Sequence, residues 1–133
     1  MKLGRLFHHS FKLTPKIYKG FKDTFLDKNP IHTNQNFATK FGFKKRVMYG
    51  NILNGFLSYF VGECLPEKNV VILSQSINFL KPVYLNDTLN LDVVVVNQSK
   101  AVSVIEFTFQ FHNQKSEKVA SGKIQIKTLK RKS

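Results

Sequence analysis

The sequence predicts an α+β fold in which a long antiparallel β-sheet wraps around one central buried α-helix. Three observations carry this. From Asn51 to about Cys64, apolar residues recur at three- and four-residue spacing around nearly the whole circumference of a helix. From Val70 onward, apolar residues fall in extended runs separated by turn-forming residues. All four prolines (Pro15, Pro30, Pro66 and Pro82) lie between periodic segments, where a residue without an N–H does least harm. No repeat, low-complexity segment or linker divides the chain, so residues 1–133 read as a single domain, with 128–133 a basic tail.

Each element has its own justification. A short helix is expected to begin near Asn34 and to carry Phe37, Ala38 and Phe41. The long helix places Leu53, Phe56, Leu57, Phe60, Val61 and Cys64 on one arc, widened by Ile52 and Tyr59, and Pro66 follows its end. Asn54-Gly55 is also a hairpin signal, but the flanking alternation a hairpin needs is missing. Val70 to Leu80 is extended, with Val71, Leu73, Ile77 and Phe79 assigned to one side. Leu89 to Val96 is almost wholly apolar, which predicts a strand buried on both faces. Ser103, Ile105, Phe107, Phe109 and Phe111 alternate with polar residues, as do Ala120, Gly122, Ile124 and Ile126. Asn86-Asp87, Asn97 to Lys100 and Asn113 to Lys118 supply the turns.

Composition excludes several classes of function. Of 133 residues 42% are apolar, enough for a core, so the formal charge of +13 does not signal disorder. One cysteine, Cys64, excludes a disulfide framework and a cysteine-rich zinc site. His8-His9 has no third ligand at useful spacing and is expected on a mobile, exposed N-terminus, so no metal is expected. No apolar run approaches the length of a membrane span, and the first residues lack the pattern of a secretory signal. A cytoplasmic location is therefore expected. The positive charge attracts anions, but no nucleic-acid-binding motif accompanies it, so no nucleic acid is expected as partner. Lys44, Lys45 and Arg46 are either solvated surface or contacts for a phosphate-bearing carrier.

The chemically informative stretch is Asp27-Lys-Asn29-Pro30-Ile31-His32, followed by Phe37-Ala38. Pro30 disfavours helix at Asn29, which puts Asp27 and His32 on a constrained loop where side chains five residues apart can converge. A carboxylate beside an imidazole forms an acid–base pair able to hold and activate water. From the residues alone, a turn-and-cap role is the commoner explanation for such groups, and both readings stand.

This stretch resembles the signature of the MaoC-like (R)-specific enoyl-CoA hydratases, hotdog-fold proteins in which a long sheet wraps a central helix. Met48-Tyr49-Gly50-Asn51 resembles that family's His-Gly-Met-like start of the hotdog helix. Phe79 to Leu89 (FLKPVYLNDTL) is similar to its F-x-x-P-V-x-x-G-D-T-L segment, and Val119 to Gly122 to its closing strand. The resemblance spans about residues 15–127. It implies reversible hydration of trans-2-enoyl thioesters carried by coenzyme A or acyl carrier protein, with no metal or redox cofactor, in a homodimer or larger assembly joined edge to edge. Alternatives on the same fold are acyl-thioester hydrolysis and non-catalytic acyl binding.

By the same resemblance, Asp27 and His32 are the catalytic pair and the Gly50 N–H binds the thioester oxygen. Asn29 holds the loop, and Ser58 hydrogen-bonds the carboxylate unless it is simply a small packing residue. Tyr49 and Asn51 flank Gly50 and are candidate substrate-binding residues. Three positions depart from the pattern: Leu26 replaces a Gly before the aspartate, Tyr49 replaces a His, and Asn51 replaces an apolar residue. Tyr59 and Phe60 are candidates for an acyl tunnel, with ordinary core packing the commoner role, and Cys64 is expected in the core.

Overall fold

The computed structural model describes residues 1–132. In chain order the elements are β1 (Leu6–Lys12), α1 (Pro15–Phe25), α2 (Pro30–Thr33), α3 (Gln35–Lys40), α4 (Asn51–Tyr59), β2 (Val70–Phe79), β3 (Thr88–Ser99), β4 (Val104–His112) and β5 (Lys118–Thr128). The five strands form one antiparallel sheet in the order β1-β3-β4-β5-β2. Helix α4 ends in a π-helical turn, Phe60–Cys64, so the expected helix is present with its last residues more loosely wound. No helix among the described residues is long and apolar enough to cross a membrane.

The core lies where the sheet curves around α4. Ile52, Leu53, Phe56, Leu57, Phe60 and Val61 are buried against a cluster that includes Phe107, Phe109, Phe111, Ile124 and Ile126. Phe11 stacks on Phe56 with centroids 4.4 Å apart, and Phe7 meets Phe60 edge-on at 5.6 Å. These rings tie the first strand to the helix, each pair adding about 1 kcal/mol beyond its buried area.

Several expectations are corrected. The N-terminal segment is strand, not a mobile arm. His8 pairs opposite Asp92 and points outward, while half-buried His9 packs on Phe11 and Tyr59. The alternation of Phe7, His9 and Phe11 was the available signal, as was Thr14-Pro15 for α1, where the Thr14 hydroxyl accepts from the Ile17 N–H (3.2 Å). Strand β3 is buried on one face only: Leu89, Leu91, Val93 and Val95 point inward, while Val94 is half-buried and Val96 is 43% exposed. A helix covers only one side of this antiparallel sheet. Strand β3 also continues to Ser99, so the turn begins at Lys100, and Ser103 (φ 56°) belongs to it rather than to β4.

In β2, Val71 and Leu73 do not share the inner face with Ile77 and Phe79. The register shifts between Ile72 and Ser74, leaving Val71 opposite Lys127 while Ile77 faces Gly122. One extra residue in a strand reverses which side every preceding side chain occupies. At the C-terminal end, β5 takes in Thr128, and Leu129 is held by a 2.7 Å bond from its N–H to the Asn69 carbonyl. The tail is therefore shorter than expected, and its final residue, Ser133, lies outside the described residues.

Candidate active site

Helix α1 ends at Leu26, whose backbone adopts the left-handed conformation (φ 62°) and donates its N–H to the Lys22 carbonyl (2.8 Å). That conformation costs a residue with a Cβ about 1 kcal/mol or more. Leu26 and Asn86 (φ 69°) both sit where the matching motifs carry glycine, and both keep the glycine-like backbone.

The next residues are built from short polar contacts. Asp27 Oδ1 accepts from the Asn29 N–H (3.0 Å), and Asn29 Oδ1 accepts from the Ile31 N–H (3.0 Å), capping α2 with Pro30 at its first position. Asn34 repeats the device for α3, accepting from the Phe37 N–H (2.9 Å). The loop thus hands the chain from α1 to α2 to α3 with Asp27 before the second helix and His32 within it. The turn-and-cap reading of the motif is visible here, since Asp27 and Asn29 are turn and cap residues, and both are exposed.

His32 is fixed from two sides. Its Nδ1 lies 2.7 Å from the Val47 carbonyl, which can only accept, so Nδ1 carries the proton and the neutral ring keeps its lone pair on Nε2. Its own carbonyl accepts from the Tyr18 hydroxyl (2.7 Å), and Arg46 Nη1 donates to that hydroxyl oxygen at 3.3 Å. No hydrogen bond among the described residues joins Asp27 to His32. Tyr49 stands between them: its hydroxyl donates to the Asp27 carbonyl and its ring packs on the imidazole at 4.3 Å. Burial, followed by Tyr18 and Asp27, raises the Tyr49 phenol above its ordinary 10.0, which keeps it a donor.

Two cavities adjoin the start of α4. One, about 910 Å³, lies between α1 and α4 and is lined by Asp27 together with Phe21, Phe25, Ile52 and Phe56. The other, about 440 Å³, is lined by His32, Phe43, Gly50, Phe79 and Lys81. Asn51 lines both. Gly50 precedes the helix without a side-chain cap, and among the described residues no acceptor is assigned to its N–H. A Cβ at this position would fall 2.9 Å from Phe79 Cε1, so the site needs glycine for space. An N–H at a helix start, beside a cavity, is suited to stabilising developing negative charge.

The remaining candidates are more peripheral. Ser58 is exposed on α4 and lines neither cavity. Phe60 is buried in the core and 48%-exposed Tyr59 packs on β1, and neither lines these cavities. Lys44 and Lys45 are exposed, each with Nζ 5.9 Å from the Tyr84 ring centre. Cys64 is only partly buried and has a basic neighbour that its sequence surroundings did not reveal, His9 Nδ1 at 3.7 Å; burial still raises its thiol above the ordinary value. Among the described residues no group of three potential metal ligands forms. Sequence reasoning did not identify Tyr18 or Phe79 as parts of the site. Tyr18 carries no signal of its own, because it reaches the site through a tertiary contact, whereas Phe79 opens the FLKPVYLNDTL segment and was read only as part of a strand and of that motif.

Comparison with known proteins gives concordant matches. The family described as MaoC like domain matches residues 3–115. An (R)-specific enoyl-CoA hydratase of Rhodospirillum rubrum is 36% identical over 70 residues, covering 53% of this chain and 49% of that protein. The chain thus spans about half the length of that relative. An (R)-specific enoyl-CoA hydratase of Aeromonas caviae is 27% identical over 101 residues, covering 76% of this chain and 75% of that protein. The solved structure of an (R)-hydratase from A. caviae superposes with a TM-score of 0.88 at 23% identity, covering 97% of this chain and 98% of its own. At that identity the likeness shows a shared fold.

Proposed function

This chain belongs to the MaoC-like domain family, and from that premise we propose that it hydrates trans-2-enoyl thioesters to (R)-3-hydroxyacyl thioesters and catalyses the reverse dehydration. The observation that carries the proposal is the convergence at the start of α4. A loop-held carboxylate lines one cavity, an imidazole with its lone pair on Nε2 and the free N–H of Gly50 line the other, and Asn51 borders both.

In this reading Asp27 and His32 hold one water and take a proton from it as its oxygen bonds to the β-carbon. The electron pair of the double bond moves toward the thioester, and the Gly50 N–H stabilises the charge arriving on its oxygen. The pair then returns a proton to the α-carbon, so one water has added across the double bond. Every atom is accounted for without a metal or a redox cofactor. Asn29 supports the pair by capping α2, and Tyr49 by gripping the loop.

The carrier is coenzyme A or acyl carrier protein, in keeping with the basic residues Lys44, Lys45 and Lys81 near the His32 cavity. A homodimer is part of the proposal. Strand β2 is a sheet edge with Leu73, Phe79 and Leu80 each half exposed or more, and edge-to-edge pairing would cover it. The location is taken as cytoplasmic, with no nucleic-acid partner.

The test is crotonyl-CoA, with a longer trans-2-enoyl-CoA beside it, following the enoyl absorbance and free thiol together. Loss of absorbance without thiol is expected, and Asp27→Asn or His32→Ala should slow it by about 10²- to 10⁴-fold. Release of thiol would instead make the protein a thioester hydrolase.

A further inference from the structure

Asn51 is the first residue of α4 and the one residue that lines both cavities. It is exposed, and an exposed amide at a helix start would ordinarily sample several rotamers. Here it is held. Asn54 Nδ2 donates to Asn51 Oδ1 at 2.9 Å, and Gln75 Nε2 donates to Asn54 Oδ1 at 2.7 Å. The first bond joins residues three apart on one helix. The second comes from another element, the half-buried Gln75 on β2, opposite Ile124 in the ladder with β5.

The relay has a direction. Each amide accepts on its oxygen and donates through its nitrogen, so at the far end the Asn51 carbonyl is occupied. Both N–H bonds of Asn51 Nδ2 remain without an assigned acceptor among the described residues. An oriented, unspent donor therefore sits directly after Gly50, whose N–H is also unspent, on the residue that lines both cavities. Water or substrate beside it meets two adjacent donors, one from the backbone and one from a side chain held by the sheet.

We infer that Asn51 Nδ2 is a second donor to the thioester oxygen and is thus a catalytic residue, with Asn54 and Gln75 as the positioning residues that aim it. The inference rests on the hydration reading. In hydration, charge builds on that oxygen as the β-carbon accepts hydroxide, so a donor already oriented stabilises the transition state without paying to reorganise. Gln75 couples this donor to the sheet edge, which explains why a polar residue occupies an inward position between Ile72 and Ile77 on β2.

The test separates the inference from the reading beneath it. The first arm measures crotonyl-CoA hydration. Asn51→Ala should lower kcat by about 10- to 100-fold, the lower part of the range for losing such a donor, with KM changed less than kcat. Asn51→Asp keeps the acceptor for Asn54 but carries no N–H, and should lose at least as much. Gln75→Leu, remote from the substrate, should give a smaller fall in kcat. The second arm needs only binding. In an Asp27→Asn background, 2,4-hexadienoyl-CoA should show a red-shifted absorbance when bound, because donors to its carbonyl polarise the conjugated system. Adding Asn51→Ala should reduce that shift, and Gln75→Leu should reduce it in part. An unchanged kcat and an unchanged shift in Asn51→Ala would overturn the donor role while leaving hydration standing. Absence of hydration by the unaltered chain would overturn the hydration reading, and the spectral arm would still decide whether Asn51 contacts the carbonyl. Failure of the dienoyl-CoA to bind would overturn both.

Discussion

Two regions of this molecule pair a carboxylate with an imidazole, and the better hydrogen-bonded one is the poorer site. On the outer face of the sheet, His8 Nδ1 lies 2.8 Å from Asp92 Oδ1, and Ser10 Oγ lies 3.4 Å from His8 Nε2. By residue type and distance this is a nucleophile, a base and an orienting acid. In the loop beside the start of α4, no hydrogen bond joins Asp27 to His32. The difference lies in the surroundings. The outer cluster is a product of register, since β1 places His8 opposite Asp92 and Ser10 opposite Asn90. Both the His8 and Asp92 side chains are 57% exposed, and the Ser10 hydroxyl gives its proton to Asn90 Oδ1 at 2.5 Å rather than to the histidine. The inner pair has walls, a helix start with an unspent N–H, and a loop held in shape by its caps. A hydroxyl whose proton is committed to a neighbouring amide on an open face has little to offer a substrate, whereas an unspent donor beside a cavity is available for chemistry.

The sharpest way to break this contrast is Gly50→Ala. The added methyl would meet Phe79 Cε1 at 2.9 Å. Phe79 is 52% exposed, so its ring can swing aside and the fold should survive, with a melting temperature within a few degrees of the unaltered chain. The ring lines the His32 cavity, however, and its displacement changes where the thioester lies. Misplacement by about an ångström is worth roughly 10²-fold in rate, and that is the loss expected in crotonyl-CoA hydration. Full activity would show that the space beside Gly50 does not define the site.

A smaller effect is expected from Tyr49→Phe. The ring remains against His32, Tyr18 and Phe21, and only the hydroxyl that holds the Asp27 carbonyl is lost. Removing one such bond typically costs about 1 kcal/mol of stability. A thermal melt should report that loss, and kcat should fall by several-fold to about tenfold as the carboxylate loses its fixed position (a tenfold change being about 1.4 kcal/mol). An unchanged melt and an unchanged kcat together would show that the caps at Asn29 and Asn34 hold the loop unaided.

The same contrast explains what could be read in the sequence. The loop that carries Asp27, Asn29 and His32 was legible because it is local, with caps and a proline two or three residues away, whereas Gly50 and the catalytic roles were singled out only through the family resemblance. Helix α4 and strands β4 and β5 were legible from their periodicity. The face of Val71 and Leu73 was not, because a single bulge residue between Ile72 and Ser74 has no mark in the apolar pattern. The relay from Gln75 to Asn51 and the outer cluster of His8, Ser10 and Asp92 were equally hidden, since both arise from pairing between segments far apart in the chain. Leu26 and Asn86 show what a motif comparison leaves unread. They look like departures from glycine, but the backbone keeps its left-handed turn and the departure is one of energy rather than of shape.

Ser10→Ala should have the smallest effect of all, and it sharpens the contrast most. The substitution removes the would-be nucleophile, its contact with His8 and its bond to Asn90 in one step. All of these lie on an exposed face where hydrogen bonds exchange freely with water, so stability should change by no more than about 0.5 kcal/mol. Hydration of crotonyl-CoA should be unchanged, because nothing in the outer cluster reaches the cavities on the other side of the sheet. An activated serine would also react with a fluorophosphonate probe. Ser10 should not, since its proton is committed to Asn90 Oδ1 and the cluster lies on an exposed face. Labelling that disappears in Ser10→Ala would mean that the triad distances alone suffice for reactivity. Absence of labelling, alongside loss of hydration in Asp27→Asn, would show that an adjoining cavity and an unspent helix-start donor decide which of two carboxylate–imidazole pairs can do chemistry.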